Sequence, residues 1–137
     1  MEPYRHRVQY YETDKMGITH HSNYIRWMEE ARTAFLAEKG WPYDRLEKDG
    51  VFSPVVSVSC RYKKTTTYAD LVDIEVYVKA FSGIRVTFGY IMRLNGETVC
   101  EAESEHCFLD ANGRFYRLKK EIPDLYAFME KEAEQNR

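Results

Sequence analysis

Between Tyr10 and Arg32 the chain reads YYETDKMGITHHSNYIRWMEEAR, and several of these residue types could do chemistry. An aspartate such as Asp14 is ionised at neutral pH and can serve as a nucleophile or a general base. Gly17 permits an unusual backbone turn just after it. His20 and His21 then lead into a run with helical periodicity. The first amides of a helix have no partner within it and point back at the preceding loop, where they can receive an anion or a developing oxyanion. A carboxylate opposite such a helix start suits attack on an acyl carbonyl. The same residues also admit a structural reading, in which Asp14 closes an Asx-type turn, Ser22 or Asn23 caps the helix, and Tyr24 joins the core. Adjacent histidine side chains rarely converge on one ion, so no metal is expected there.

The elements that must position this stretch follow from periodicity. Tyr4, His6, Val8 and Tyr10 form a candidate first strand ahead of the loop. Behind the loop, from Asn23 to about Lys39, Tyr24, Trp27, Met28, Ala31 and Phe35 recur at helical spacing, with Gly40 and Pro42 as the stop signal. Val56, Val58, Cys60 and Tyr62 alternate after Pro54. The pattern repeats through Val72, Ile74, Val76, Val78 and Ala80, through Ile84, Val86, Phe88, Tyr90, Met92 and Leu94, and through Cys100, Ala102, Ser104, His106 and Phe108. Ser82–Gly83 and Asn95–Gly96 read as hairpin turns between these strands. A short helix is expected within PYDRLEKDG and a peripheral one from Pro123 onward. The order strand, helix, four strands gives an α+β architecture in one domain spanning residues 1–137, with an antiparallel sheet covered on one side by the central helix.

Composition excludes several functions. A chain of 137 residues buries about two-thirds of its unfolded surface on folding, enough for a core without crosslinks. Twenty Lys and Arg against 22 Asp and Glu give a net charge of −2, which offers no basic excess for nucleic acid or an anionic membrane. The opening MEPYRHRVQY lacks the apolar core of a secretion signal, and no segment approaches the ~20 apolar residues that span a bilayer. A cytoplasmic protein with neither nucleic acid nor membrane as a partner is expected. Cys60, Cys100 and Cys107, an odd number without paired spacing, suggest neither a disulfide framework nor a zinc site and read as buried thiols.

The segment YETDKMGITHHSNYIRWMEEAR resembles the signature of the 4-hydroxybenzoyl-CoA thioesterase-like family of hotdog-fold acyl-CoA thioesterases. In that signature an aspartate after Thr or Cys precedes a Gly-containing loop, and a His or Tyr opens the helix. RYKKTTTYAD and RLNGETVCEAESEHCFLDANGRFYRL extend the likeness to about Leu118. The resemblance implies a hotdog fold, a sheet of five to six strands wrapped around the long helix. It also implies hydrolysis of acyl-CoA or acyl-carrier-protein thioesters without a cofactor. A homodimer with sheets paired edge to edge, or a homotetramer of such dimers, would carry the site at the dimer interface.

Carried over by position, Asp14 matches the catalytic aspartate and His21 the residue at the helix start. Asp14 would attack the thioester carbonyl or activate water, while the backbone N–H near His21 polarises the carbonyl oxygen. Gly17, His20, Asn23 and Tyr24 would shape the substrate-binding loop. His20 stands where the family often has an aromatic or aliphatic residue, which leaves open which histidine faces the substrate. Lys15 and Met16 replace the small residues or Pro often found after the aspartate. Arg61, Lys63 and Lys64, with Arg85, Arg117, Lys119 and Lys120, are candidates to hold coenzyme A phosphates or the acidic surface of a carrier protein.

Other candidates have plainer readings. Glu30 is a reserve catalyst, since some hotdog thioesterases use a helix glutamate, or else is solvated or paired with Arg26 or Arg32. His106 reads as a satisfied core histidine. A hotdog hydratase or dehydratase, and a binding protein without turnover, remain as rival functions.

Overall fold

The computed structural model describes residues 2–136. Its five-stranded antiparallel sheet comprises β1 (Tyr4–Arg7), β2 (Val55–Tyr62), β3 (Leu71–Phe81), β4 (Arg85–Leu94) and β5 (Glu97–Cys107), in the spatial order β1-β3-β4-β5-β2. The helix α1 (Ser22–Glu38) lies on one face. Its residues Tyr24, Trp27, Met28, Ala31 and Phe35, one stripe at helical spacing, are all buried. Against them pack Val72, Ile74 and Val78 of β3, Phe88, Tyr90 and Met92 of β4, and Cys100 and Ala102 of β5. Trp27 is fully buried, which contributes roughly 2 to 3 kcal/mol on the scale for large apolar side chains.

Local signals set the ends of these elements. After α1, the Gly40 amide donates to the Ala37 carbonyl and the Trp41 amide to the Leu36 carbonyl, a Schellman pair that Gly40 permits at φ +94°. Asn95 and Gly96, at φ +52° and +82°, make the tight turn between β4 and β5. Ile84 lies outside β4, exposed in the preceding turn. Ala80 is exposed because a bulge after Val78 breaks the alternation.

The first strand is shorter than its alternation suggests. It ends at Arg7, and Tyr10–Glu12 form a single 3₁₀ turn that leaves Tyr10 exposed. Here Glu12 folds back, its carboxylate accepting the Gln9 amide at 2.8 Å, and redirects the chain toward α1.

Three further helices complete the chain: α2 (Tyr43–Lys48), α3 (Leu118–Glu121) and α4 (Pro123–Gln135). The last buries Leu125, Met129 and Ala133 and lies along β3. No described helix is long and apolar enough to cross a membrane.

The two outer strands differ. Along β2 every residue except Cys60 is exposed, including Val55, Val56, Val58 and Tyr62, although the strand pairs with β5 on its other side, with an irregularity at Val56.

Candidate active site

The loop from Thr13 to His20 is a closed structure. Thr13 and Thr19 pair as an isolated bridge, the Asp14 amide donates to the Ile18 carbonyl, and the Gly17 amide donates to the Asp14 carbonyl. Gly17 takes φ +79°, a conformation that other residues rarely adopt, and its carbonyl accepts the Thr67 hydroxyl at 2.6 Å. Thr19 anchors the far side: its amide and hydroxyl reach the Thr66 carbonyl, and its hydroxyl lies 2.7 Å from that of Thr66. One Asp14 carboxylate oxygen accepts the Met16 amide at 2.8 Å. This is an Asx-type turn, yet the same half-buried carboxylate lines a cavity. The turn uses Oδ1 and leaves Oδ2 unbonded among the described residues.

The helix start differs from the expected Ser22 or Asn23 cap. His21 occupies the cap position with helical backbone angles, φ −56° and ψ −29°, and its own side chain caps nothing. The neighbouring ring serves instead: His20 Nδ1 accepts the Ser22 amide at 3.2 Å and sits 2.8 Å from the Ser22 hydroxyl. Asn23 is buried and donates through Nδ2 to the carbonyls of Glu12 and His20. The Asn23 and Tyr24 amides turn inward to the carbonyls of His20 and His21. From Thr19 to Tyr24, the His21 amide alone has no acceptor among the described residues.

A cavity of about 290 Å³ gathers Asp14, His21 and Tyr24 with Tyr62, Lys63 and Lys64. Its size is at the low end for ligand pockets. Tyr62, at the end of β2, donates to the His21 carbonyl at 3.3 Å and packs edge-on against Tyr24 with ring centres 5.0 Å apart. Desolvation raises the pKa of both phenols, most strongly for Tyr62, where contact with the Cys60 thiol adds to it, so both are neutral donors at physiological pH.

Other expected site residues lie apart. His20 and Gly17 do not line the cavity; His20 stacks on His21 with ring centres 4.3 Å apart. Asn23 acts on the loop backbone. Arg61 projects to the opposite side of the sheet, into a cavity of about 440 Å³ shared with Tyr77 and Lys79. Lys63 pairs with Glu101 at 3.1 Å and Lys64 with Glu97, half-exposed pairs of a kind worth little in water.

Glu30 is exposed to solvent, as expected, but pairs with no arginine among the described residues. It accepts the Tyr4 hydroxyl at 3.1 Å and faces His6 Nδ1 at 3.6 Å, beside β1 and away from the Asp14 cavity. Arg32 is buried and donates to the hydroxyls of Tyr43 and Tyr90, each at 3.0 Å. His106 is fully buried but only half satisfied: Nε2 meets the Ser104 hydroxyl at 2.8 Å and Nδ1 has no partner among the described residues. Burial, then the nearby Arg32 charge, pushes its pKa down to about 4.

Glu12 went unnoticed in the sequence. Only 4% exposed, its carboxylate receives three donors: the Gln9 amide and His6 Nε2 at 2.8 Å, and Trp27 Nε1 at 2.7 Å. Burial pushes its pKa up, but the hydrogen bonds from Gln9, His6 and Trp27 outweigh this and hold it below the usual carboxylate value. A glutamate two residues before Asp14 and a tryptophan on the apolar stripe were the available signal.

A long helix covered by a five-stranded antiparallel sheet is the hotdog architecture. Residues 8–130 match the model of the thioesterase-like superfamily, and the chain belongs to that family. A relative from Aquifex aeolicus, provisionally named an esterase, is 40% identical over 122 residues, 89% of this chain and 94% of that protein. YneP of Bacillus subtilis, provisionally named an acyl-CoA thioesterase, is 36% identical over 126 residues, 90% of this chain and 91% of its own. The crystal structure of DHNA-CoA thioesterase from Staphylococcus aureus superposes with a TM-score of 0.91 and 30% identity, covering 98% of this chain and 93% of that one.

Proposed function

We propose that this protein hydrolyses acyl-CoA or acyl-carrier-protein thioesters to a carboxylic acid and a free thiol, with Asp14 as the reacting carboxylate. The observation that carries the reading is the shared cavity: Asp14 lines it together with His21, whose amide has no acceptor among the described residues. A thioester carbonyl placed there would direct its oxygen to the His21 N–H and its carbon toward Asp14. Asp14 then attacks that carbon itself, or takes a proton from the water that does. Charge builds on the carbonyl oxygen in either route, where the amide stabilises it, and the C–S bond breaks to release the thiolate, which takes up a proton; where Asp14 itself attacked, water then hydrolyses the acyl–Asp14 anhydride to the carboxylic acid and the free carboxylate. Lys63 and Lys64 at the cavity wall supply positive charge for the phosphates of coenzyme A or the acidic surface of a carrier protein.

The working unit in this reading is a homodimer, or a tetramer of dimers, joined along β2. That edge presents unpaired backbone groups and the exposed Val55, Val56 and Val58, a combination prone to pair with a second strand. Tyr62 continues the same edge into the cavity, which a partner would enclose further. The free state of Cys60, Cys100 and Cys107 fits a reducing compartment such as the cytoplasm.

The test is thiol release from acyl-CoA thioesters, short to long and aliphatic to aromatic, by wild type beside Asp14→Asn. The amide is neither base nor useful nucleophile, so most hydrolysis is lost while the fold remains. Near wild-type turnover by Asp14→Asn would sink the assignment.

A further inference from the structure

We infer that Glu12 is a positioning residue of the reaction, fixing through one buried carboxylate and one carbonyl the spacing between Asp14 and the His21 amide. The inference rests on Asp14 being the reacting carboxylate.

Glu12 holds both ends of the loop. Its carboxylate ties the incoming chain to β1 through His6 and to α1 through Trp27. Its backbone carbonyl accepts the His20 amide at 2.8 Å and Asn23 Nδ2 at 2.9 Å, and so ties down the outgoing chain immediately before His21. Asp14 follows two residues later on the incoming side. The two groups placed at the reacting carbonyl are thus each within two residues of a bond to Glu12, which fixes both ends of the loop while Thr66 and Thr67 hold its middle.

An ionised carboxylate is what this node requires. Three N–H donors converge on two oxygens, and a glutamate anion only accepts. Glutamine has the same shape but would turn its NH₂ toward one of those donors, so a contact is lost and a like dipole faced. His6 must present Nε2–H to that carboxylate, so the contact itself selects the protonation of Nε2. Its ring is held for that purpose: it packs on Trp27 with centres 4.6 Å apart, and Nδ1 faces Glu30, which is itself fixed by the Tyr4 hydroxyl. The chain of contacts runs from Tyr4 and Glu30 through His6 to Glu12 and contains no group that lines the cavity.

Misplacing a reacting group by about 1 Å can cost on the order of 100-fold in rate, while groups that bind the rest of the substrate are untouched. The full chain carrying Glu12→Gln is therefore expected to lose about 30-fold or more in kcat for thiol release, with KM within about threefold of wild type. If Glu12→Gln does not fold, a second pair decides. His6→Gln keeps an N–H donor at similar reach and is expected to retain kcat within about threefold, whereas His6→Leu, without a donor, loses about tenfold or more at unchanged KM. A folded Glu12→Gln with kcat within about threefold of wild type overturns the inference, and so do His6 variants that behave alike. Asp14→Asn separates the two levels: if it is inactive while Glu12→Gln turns over normally, the positioning role alone fails; if it is active, the reading of Asp14 fails.

Discussion

Tyr77 of β3 lies across Gly89, its partner on β4, so closely that a Cβ at position 89 would sit 2.3 Å from the phenol ring. The absence of a side chain there is what lets the ring lie on the outer face of the sheet. Gly89→Ala is expected to lower unfolding free energy by about 1 to 3 kcal/mol in urea titrations, the usual cost of overpacking. Tyr77→Ala in the same chain should recover most of that loss; a double variant no better than Gly89→Ala would place the strain elsewhere.

His106 gives stability a dependence on pH. Its unfolded value is 6.5 and its folded value about 4, so between these limits the unfolded chain binds a proton that the native one refuses. Stability from the neutral imidazole is therefore complete above pH 6.5 and falls as the pH drops toward 4, by on the order of 3 kcal/mol. Glu12, its folded pKa lowered, loses its contribution in the same direction at still lower pH. Denaturant midpoints measured from pH 7 to pH 4 should fall steeply in wild type and much less in His106→Gln.

The two histidines should separate in opposite ways. His20 caps α1, so His20→Ala is expected to cost about 1 kcal/mol of stability, read as a lowered Tm, with modest change in turnover. His21→Ala keeps the backbone amide and should lose activity by less than Asp14→Asn does.

His21→Pro removes the amide hydrogen at φ −56°, an angle that the proline ring favours. Loss of one oxyanion donor typically costs about 100- to 1000-fold in kcat, so His21→Pro should approach Asp14→Asn in thiol release. Activity equal to that of His21→Ala would move the oxyanion to another donor.

Val58 lies mid-strand on the exposed edge of β2. Wild type should sediment at twice its 16.3 kDa chain mass or a higher even multiple, and Val58→Asp as a monomer with little activity. A wild-type monomer with full turnover would remove the dimer from the proposed function.

Much of this architecture was legible in the chain. The alternation in β3, β4 and β5 and the apolar stripe of α1 each bury against one another, so local pattern and final environment agree. The Asn95–Gly96 turn and the Gly40 stop depend on backbone freedom that residue type announces. What was hidden depends on partners distant in sequence. The three donors of Glu12 come from β1, the turn and α1, and nothing local in YYETD distinguishes a buried carboxylate from a solvated one. The His20 cap was missed because serine and asparagine stood in the preferred places and an imidazole took their role. Glu30 meets Tyr4 and His6 only once β1 lies beside α1. Arg61, one residue from a cavity-lining tyrosine, faces away because a strand alternates, a distinction that reading the basic residues as a group could not make.

Tyr62 holds the outermost strand and the first turn of α1 with the same side chain. Anything that settles on that strand also presses on the helix start, and anything that leaves it relaxes both. Under the proposed dimer, activity per chain becomes a function of protein concentration: dilution below the association range would quieten the enzyme before any residue of its loop is altered.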